Sequence, residues 1–455
     1  MSEEPRIHLI SLGCAKALVD SEVLLGGLSE QNISTTDDPE TADAIVVNTC
    51  GFLEEARQES VDTILEAAQL KKRHPDKQLL VMGCLPSRYE DGELEEALPE
   101  VDKFFEQGKM AEVVQYLTGK PFMEFDPTYW RSLLTPDHYA YLKITEGCDN
   151  GCSFCSIPIM RGKQQSRTID SLVGEAQRLV DGGVKEIMII GQDTTAYGWD
   201  LDDKVYLHDL LRELSEIQNL DWIRLHYAHP AHFSRKNIPV MAEADNICAY
   251  LDMPVQHASS RLLKHMRRGL DREGILRRIR KVREAIPNLA LRTSLIVGYP
   301  TETEEEFRQL MDFVEEVRFD RLGVFTYSHE PGTIAADYEN DVSEQVKYDR
   351  RDEIMLLQQE IMLEKNREHI GKTMKILIDE YDQESREYTG RTEYDSPDVD
   401  GVVRIEGDPD EAEAGEFYNV TIEDCNEYEL FGTIESPGFT FGAVEKQRRQ
   451  SLKIR

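Results

Sequence analysis

Six of the eight cysteines in this chain fall into two sets of three, and each set is a candidate site for thiolate chemistry. The compact set is Cys148, Cys152 and Cys155 in the run EGCDNGCSFC (146–155), a C-x3-C-x2-C spacing with Phe154 before the last cysteine. Three thiolates can hold three irons of a cubane iron–sulfur cluster and leave the fourth iron open for a non-protein ligand, which full four-cysteine ligation does not. A zinc site would want a fourth ligand close by. The nearest upstream histidine is His138, and none follows until His208.

The second set is dispersed. Cys14, Cys50 and Cys84 each close a short apolar run: LISLGC, IVVNTC and LLVMGC. Such runs, separated by helix-length polar segments, read as buried parallel strands of βαβ units. The carboxyl ends of those strands share one edge of an open α/β sheet, where ligands gather. Three cysteines at equivalent strand ends are therefore expected to converge into a second three-thiolate site. Cys248 and Cys425 are single and read as small buried hydrophobes.

These sites need elements to position them. Residues 1–120 read as an N-terminal open parallel-sheet βαβ domain with strands at Ile7–Leu12, Ala44–Asn48 and Gln78–Met82. Helical patterns lie between, at Ser21–Gln31 and Glu54–Arg73. A linker follows at 121–137, marked by Pro121, Pro127 and Pro136. From 138 to 370, apolar runs at Tyr139–Ile144, Glu186–Ile190, Trp222–His226, Ile247–Leu251, Leu289–Val297 and Arg321–Tyr327 alternate with helical segments. Six βα units predict a partial (β/α)6 barrel, with its site at the carboxyl edge of the strands. After a long helical stretch at Val342–His369, residues 371–440 read as a small OB-like all-β barrel with strands at Lys375–Asp379, Gly401–Ile405, Phe417–Ile422 and Leu430–Ile434. A basic tail, 441–455, closes the chain.

Charge constrains partners. The chain has 87 acidic and 52 basic residues, a net charge of −35. Between Lys375 and Glu435 stand 20 acidic residues against Lys375, Arg386, Arg391 and Arg404, a balance of −16. Nucleic-acid affinity rests on neutralising phosphates, so such a barrel repels oligonucleotides. A basic protein partner is attracted instead; a proteome-wide acidic bias, as in salt-adapted organisms, is the other source of such a balance. No apolar stretch approaches the length of a membrane span, and eight cysteines without a secretion signal predict reduced thiols in the cytoplasm.

Cys148, Cys152, Cys155 and Phe154 on a six-unit βα domain resemble the radical S-adenosylmethionine (SAM) superfamily. With a three-cysteine domain before it and a TRAM-like barrel after it, the whole chain resembles the methylthiotransferases. SLGCAKALVDSE (11–22), NTCGF (48–52) and EGCDN (146–150) are similar to the RimO branch of that family, although Ala15 and Ala17 stand where that branch often has proline and asparagine. The resemblance implies two [4Fe–4S] clusters. One, on Cys148, Cys152 and Cys155, would seat and reductively cleave SAM; an auxiliary one, on Cys14, Cys50 and Cys84, would carry the sulfur that is methylated and transferred. It further implies that Gly191 and Gln192 contact SAM, Gln192 standing where an acidic residue is usual. The implied substrate is the β-carbon of an aspartate in ribosomal protein S-twelve, alone or in the small ribosomal subunit. The implied electron donor is a flavodoxin or ferredoxin, and no catalytic residue is implied beyond the cluster ligands. Membrane association is not expected, and nucleic-acid binding is secondary at most. The alternative is the MiaB branch, the same chemistry on a tRNA adenosine, which would want a basic terminal barrel.

Weaker signals surround these. The run IVGYP at 296–300 resembles the superfamily's adenine-side strand. Arg161 and Arg167 read as exposed arginines able to meet a carboxylate, and His226, His229, His232 and His257 as hydrogen-bonded structural residues near strand ends.

Overall fold

The computed structural model describes residues 5–90, 92–120, 131–339 and 341–435. The expected linker therefore lies partly, at 121–130, outside the described residues, and the tail at 441–455 lies wholly outside them. The chain forms two compact units, the first through Gln358 and the second from Gln359.

The first unit opens with a five-stranded parallel sheet in the order β2-β1-β3-β4-β5. Its strands are β1 (Arg6–Ser11), β2 (Ser34–Thr35), β3 (Ala44–Thr49), β4 (Gln78–Gly83) and β5 (Lys103–Glu106). Alternate residues of the same strands feed two cores. Val46, Leu80 and Met82 pack with Leu24 and Leu28 of α1 (Ala15–Glu30) on one face. On the other, Ile45, Val47, Leu79 and Val81 pack with Ile64, Ala67 and Ala68 of α2 (Glu54–Arg73). Burial on both faces is why these strands read as continuous apolar runs. β2 and β5 escaped that reading because the edge positions hold only Ser-Thr and KFFE.

A second sheet follows, six-stranded and parallel, in the order β13-β12-β11-β10-β9-β6. It comprises β6 (Tyr139–Lys143), β9 (Glu186–Ile190), β10 (Trp222–Leu225), β11 (Ile247–Asp252), β12 (Ala290–Val297) and β13 (Arg321–Thr326). The six apolar runs are these six strands, to within one or two residues at their ends. Between β6 and β9, a short antiparallel ribbon, β7 (Thr145–Glu146) with β8 (Gln165–Ser166), clasps the base of the compact cysteine loop. The helices are set by local chemistry. Glu304–Val317 begins with a capping box in which Thr303 Oγ1 accepts from the Glu306 N–H while the Glu306 carboxylate accepts from the Thr303 N–H.

The two sheets' layers are joined by a buried ion triad. Arg131 donates to Glu22 of α1 at 2.6 and 2.8 Å and to Glu175 of the helix Ile169–Asp181 at 2.7 Å. All three side chains are at most 4 % exposed. Removing one partner of a buried pair strands the other's charge, at a typical cost of about 3–5 kcal/mol. Arg167 still pairs with Glu175, so Arg131→Met is expected to cost about 3 kcal/mol, the low end of that range. A thermal midpoint unchanged by this substitution would show that the triad does not hold the layers together.

The second unit is a closed five-stranded barrel in the order β14-β15-β16-β18-β17. Its strands are β14 (Thr373–Asp382), β15 (Glu387–Arg391), β16 (Val402–Glu406), β17 (Phe417–Cys425) and β18 (Glu429–Ile434). Sequence reading found four of these. β15, EYTGR, lacks apolar alternation, and it sends only Tyr388 into the core with Ile376, Val403 and Val420. Arg391, Arg404 and Arg386 are spent on Asp379, Glu429 and Asp408. Glu406, Asp408, Asp410, Glu411, Glu413 and Glu416 all remain exposed along one connection.

Candidate functional site

Cys14, Cys50 and Cys84 follow β1, β3 and β4 at the carboxyl edge of the first sheet. Their loops touch. A Cβ placed on Gly13 would stand 3.0 Å from the Cys50 Cβ, and one on Gly51 would stand 2.6 Å from the Cys84 carbonyl oxygen. Gly83 has φ +104°, and a Cβ there would lie 2.8 Å from the Thr49 carbonyl oxygen, so only glycine lets Cys84 close on its neighbours. Asn48 fastens the end of β3 to α1 by donating to the Ala17 carbonyl at 2.8 Å and to Ser21 Oγ at 2.9 Å. The Cys50 N–H donates to Ser60 Oγ at 3.1 Å. The three dispersed cysteines thus come together as the strand ends predict.

Their thiols are free but not alike. Burial pushes Cys84 up to about 11, against the pull of Arg161, and raises Cys50 as well. Cys14 retains an exposed residue surface. The protein packed around its sulfur still opposes ionisation, yet the charges of Lys16 and Arg161 and the N–H groups of Ala17 and Lys16 outweigh that and lower its pKa.

Cys148, Cys152 and Cys155 occupy the loop that leaves the β7–β8 ribbon. Gly147 has φ +72°, and a Cβ there would fall 2.7 Å from the Gly162 carbonyl oxygen where the loop returns. The Cys148 N–H donates to that same carbonyl at 3.1 Å. Ser153 anchors the middle: its N–H donates to the Met266 carbonyl at 3.2 Å, and its Oγ donates to the His265 carbonyl at 2.8 Å. Phe154 packs against Leu262, Met266, Tyr299 and Tyr327. Each sulfur receives an N–H donor, Cys148 from Asn150 at 3.4 Å, Cys152 from Arg268 at 3.3 Å and Cys155 from the backbone of Ile157. Burial pushes Cys148 up to about 11 and Cys155 up to about 12.

Between the two sets lies an ionic group, buried at Asp20 and Arg161 and half-buried at Lys143 and Glu146, that sequence reading missed. Lys143 at the end of β6 pairs with Asp20 of α1 and, at 2.7 Å, with Glu146. Arg161 donates from Nη1 to Glu146 at 2.9 Å, from Nη2 to Asp20 at 3.3 Å and from Nε to Cys84 Sγ at 3.3 Å. Arg161, expected on a solvated face, is 8 % exposed. It does meet carboxylates, as Arg167 meets Glu175. Burial works against the ionised form of Glu146, but Lys143 and Arg161 hold its pKa far below the ordinary carboxylate range. Asp20 and Glu146 correspondingly raise Lys143 and Arg161 against their own desolvation. One signal was available: a lysine closing the apolar run YAYLK and an aspartate within α1 have to be paired if those elements are buried.

Gly191 and Gln192 follow β9. A Cβ on Gly191 would stand 2.5 Å from Thr145 Oγ1, so the residue permits β9 to approach the ribbon. Gln192 donates to Glu146 Oε1 at 2.8 Å. Next to it, Asp193 accepts from Asn150 at 2.8 Å and pairs with His232 at 2.7 Å. Ligand atoms of Asp193, His229 and His232 lie within 4.8 Å of one another. Burial first, then Arg268, lowers His229 to about 3. His257 pairs with Glu302 at 3.2 Å, and His226, fully desolvated beside Arg224, is held well below the usual histidine range. Gly298, directly after β12, has φ +71°, and its N–H donates to Glu302.

Two groupings of three soft thiols suit iron–sulfur clusters. Around them, Gln107 Oε1, Thr145 Oγ1, Ser156 Oγ, Gln192 Oε1 and Arg268 Nε are buried without a hydrogen-bond partner among the described residues. Buried polar atoms are ordinarily satisfied. Such a group of orphans around two thiol sets fits a site completed by non-protein groups.

Residues 142–314 match the radical SAM superfamily, residues 6–106 the uncharacterized protein family UPF0004, and residues 370–434 the TRAM domain. Curated relatives called ribosomal protein uS12 methylthiotransferase RimO include one from Chloroherpeton thalassium, 44 % identical over 438 residues, covering 95 % of this chain and 99 % of the relative. The Clostridioides difficile protein is 45 % identical (94 % and 98 % covered), and that of Bacteroides thetaiotaomicron 46 % (94 % and 98 %). Among solved structures, the radical SAM methyltransferase TsrM from Kitasatospora setae, with cobalamin and a [4Fe-4S] cluster bound, has a TM-score of 0.55. It is 16 % identical, with 73 % of this chain and 77 % of that one covered, a likeness of fold.

Proposed function

This chain belongs to the RimO family of ribosomal protein uS12 methylthiotransferases and is a radical SAM transferase; from that premise we propose that it adds a methylthio group to the β-carbon of an aspartate in uS12, using two [4Fe–4S] clusters. The observation that carries the reading is the pair of convergent three-thiol sets joined by one ionic group. Cys148, Cys152 and Cys155 hold the cluster that seats SAM. Cys14, Cys50 and Cys84 hold the auxiliary one.

When bound, the cofactors would relay the electron, provide the radical chemistry and carry the sulfur that is transferred. The chain's own residues supply position, charge and dryness. Asn150 and Arg268 stabilise thiolates by N–H···S hydrogen bonds. Gln192 Oε1, a buried acceptor without a partner, faces the role of receiving the ammonium group of SAM, with the Gly191 backbone beside it. The charges of Lys143, Arg161, Asp20 and Glu146 sum to zero, so the group presents fixed, oriented dipoles without a net charge.

The acidic barrel meets the basic ribosomal protein, alone or in the small subunit, and disfavours tRNA. A flavodoxin or ferredoxin delivers electrons. No described helix is long and apolar enough to cross a membrane, and the reaction takes place in the cytoplasm. Incubated anaerobically with SAM, a sulfur source and a reductant, the protein is expected to add one methylthio group to uS12, seen as a mass increment on one aspartate-containing peptide. Modification of tRNA anticodon stem-loops with none of uS12 would overturn the reading in favour of the MiaB reaction.

The barrel's share is separable. Truncation after Gly371 is expected to abolish uS12 modification while uncoupled SAM cleavage continues. In the full chain, association should weaken with salt as the Debye length falls from about 10 Å at 0.1 M to about 3 Å at 1 M. Salt-independent association would show that charge does not steer the encounter.

A further inference from the structure

Arg161 lies on the short helix Ile157–Arg161, six residues beyond Cys155, yet its Nε points at a cysteine of the other set, Cys84, at 3.3 Å. Its two remaining nitrogens are held by Glu146, two residues before Cys148, and by Asp20, six residues after Cys14. With 2 % of its side chain exposed, it is a fixed, desolvated cation, and each of its three nitrogens donates a hydrogen bond. Of the three sulfurs in the dispersed set, only Cys84 has a side-chain N–H donor among the described hydrogen bonds.

We propose that Arg161 is a positioning residue that sets the reduction potential of the auxiliary cluster, through an N–H···S hydrogen bond and a buried charge supplied by the segment that carries the radical SAM cysteines. This rests on the two-cluster reading above. Hydrogen bonds to cluster sulfurs and net local charge are principal determinants of iron–sulfur potentials. Both act in one direction here, because each favours the more negative, reduced state. The surroundings sharpen the effect. Lys143 and Arg161 balance Asp20 and Glu146; without Arg161, two carboxylates face one lysine, and the group beside Cys84 turns net negative. The compact set takes its own donors from Asn150 and Arg268, so its potential should respond less. The anchoring also links the two sites mechanically, since displacing the loop of Cys148 displaces Glu146 and with it the donor to Cys84.

The test is an anaerobic redox titration followed by electron paramagnetic resonance, with iron counted in each sample. In Arg161→Gln, the reduced-to-oxidised ratio of the auxiliary cluster at a given potential should fall about tenfold, equivalent to 59 mV for a one-electron couple, with a smaller change at the other cluster. Arg161→Lys keeps the charge without the three-pronged geometry and should fall between. Adding Asp20→Asn to Arg161→Gln restores neutrality but not the donor, and should recover only part of the shift. Full iron loading with unmoved midpoints, or equal shifts at both clusters, would overturn the proposal. If neither Arg161 variant loads the auxiliary cluster, the unaltered protein labelled with [15N]arginine decides. An arginine-nitrogen coupling to that cluster supports the assignment, and its absence refutes it. A single cluster in the unaltered protein would instead sink the two-cluster reading itself.

Discussion

Replacing Cys14, Cys50 and Cys84 together by alanine is expected to halve the iron of the reconstituted protein, from about eight to about four per chain, if each three-thiol set holds a four-iron cluster. SAM cleavage should continue, because its seat is the other set. Methylthiolated uS12 should vanish, a fall of more than about 100-fold, since losing outer-shell partners alone typically costs ~10–100-fold. The substitutions fall in loops at the sheet edge, where Cys14 is exposed and Cys50 half-buried. The cores built on Val46, Leu80 and Val81 are untouched, so the fold should survive. A triple variant that keeps full iron, or still yields product, removes this set from the reaction.

The converse triple, Cys148, Cys152 and Cys155 to alanine, should also leave about four irons but abolish SAM cleavage along with the product. The contrast is the informative part. Both variants lose methylthiolation, and only the second loses the deoxyadenosine formed from SAM. Ser153 and Phe154 anchor this loop independently of the thiols, so the loss would not follow from collapse of the segment. Continued deoxyadenosine formation would place the SAM seat elsewhere.

Much of this architecture was legible because its signals are local. The central strands of the second sheet, such as EIMII of β9, are buried throughout, so they appear as nearly continuous apolar runs, while β12 alternates buried with half-buried positions. The capping box at Thr303 and Glu306 marks the start of its helix to the residue. Elements with weak local signals were lost: β2 and β5 at the sheet edges, and β15, whose EYTGR contributes one side chain to the barrel core. Gly191 illustrates a mixed case. The resemblance implied a contact with SAM, whereas a close approach to Thr145 is what excludes a side chain.

The sequence by itself determined the two cysteine sets, the parallel sheets that deliver them to strand ends, and the acidity of the barrel, because spacing, apolar periodicity and charge are properties of residues along the chain. Only the tertiary structure decided what lies between the sets. Asp20, Lys143, Glu146 and Arg161 are separated by up to 141 positions, and each alone resembles a solvated surface charge. Long-range packing removes them from water, and desolvation then forces them to pair with one another and with a cysteine sulfur. Burial of a charge depends on every element around it: the run YAYLK and helix α1 hint that Lys143 and Asp20 need partners, but nothing local says which partners those are.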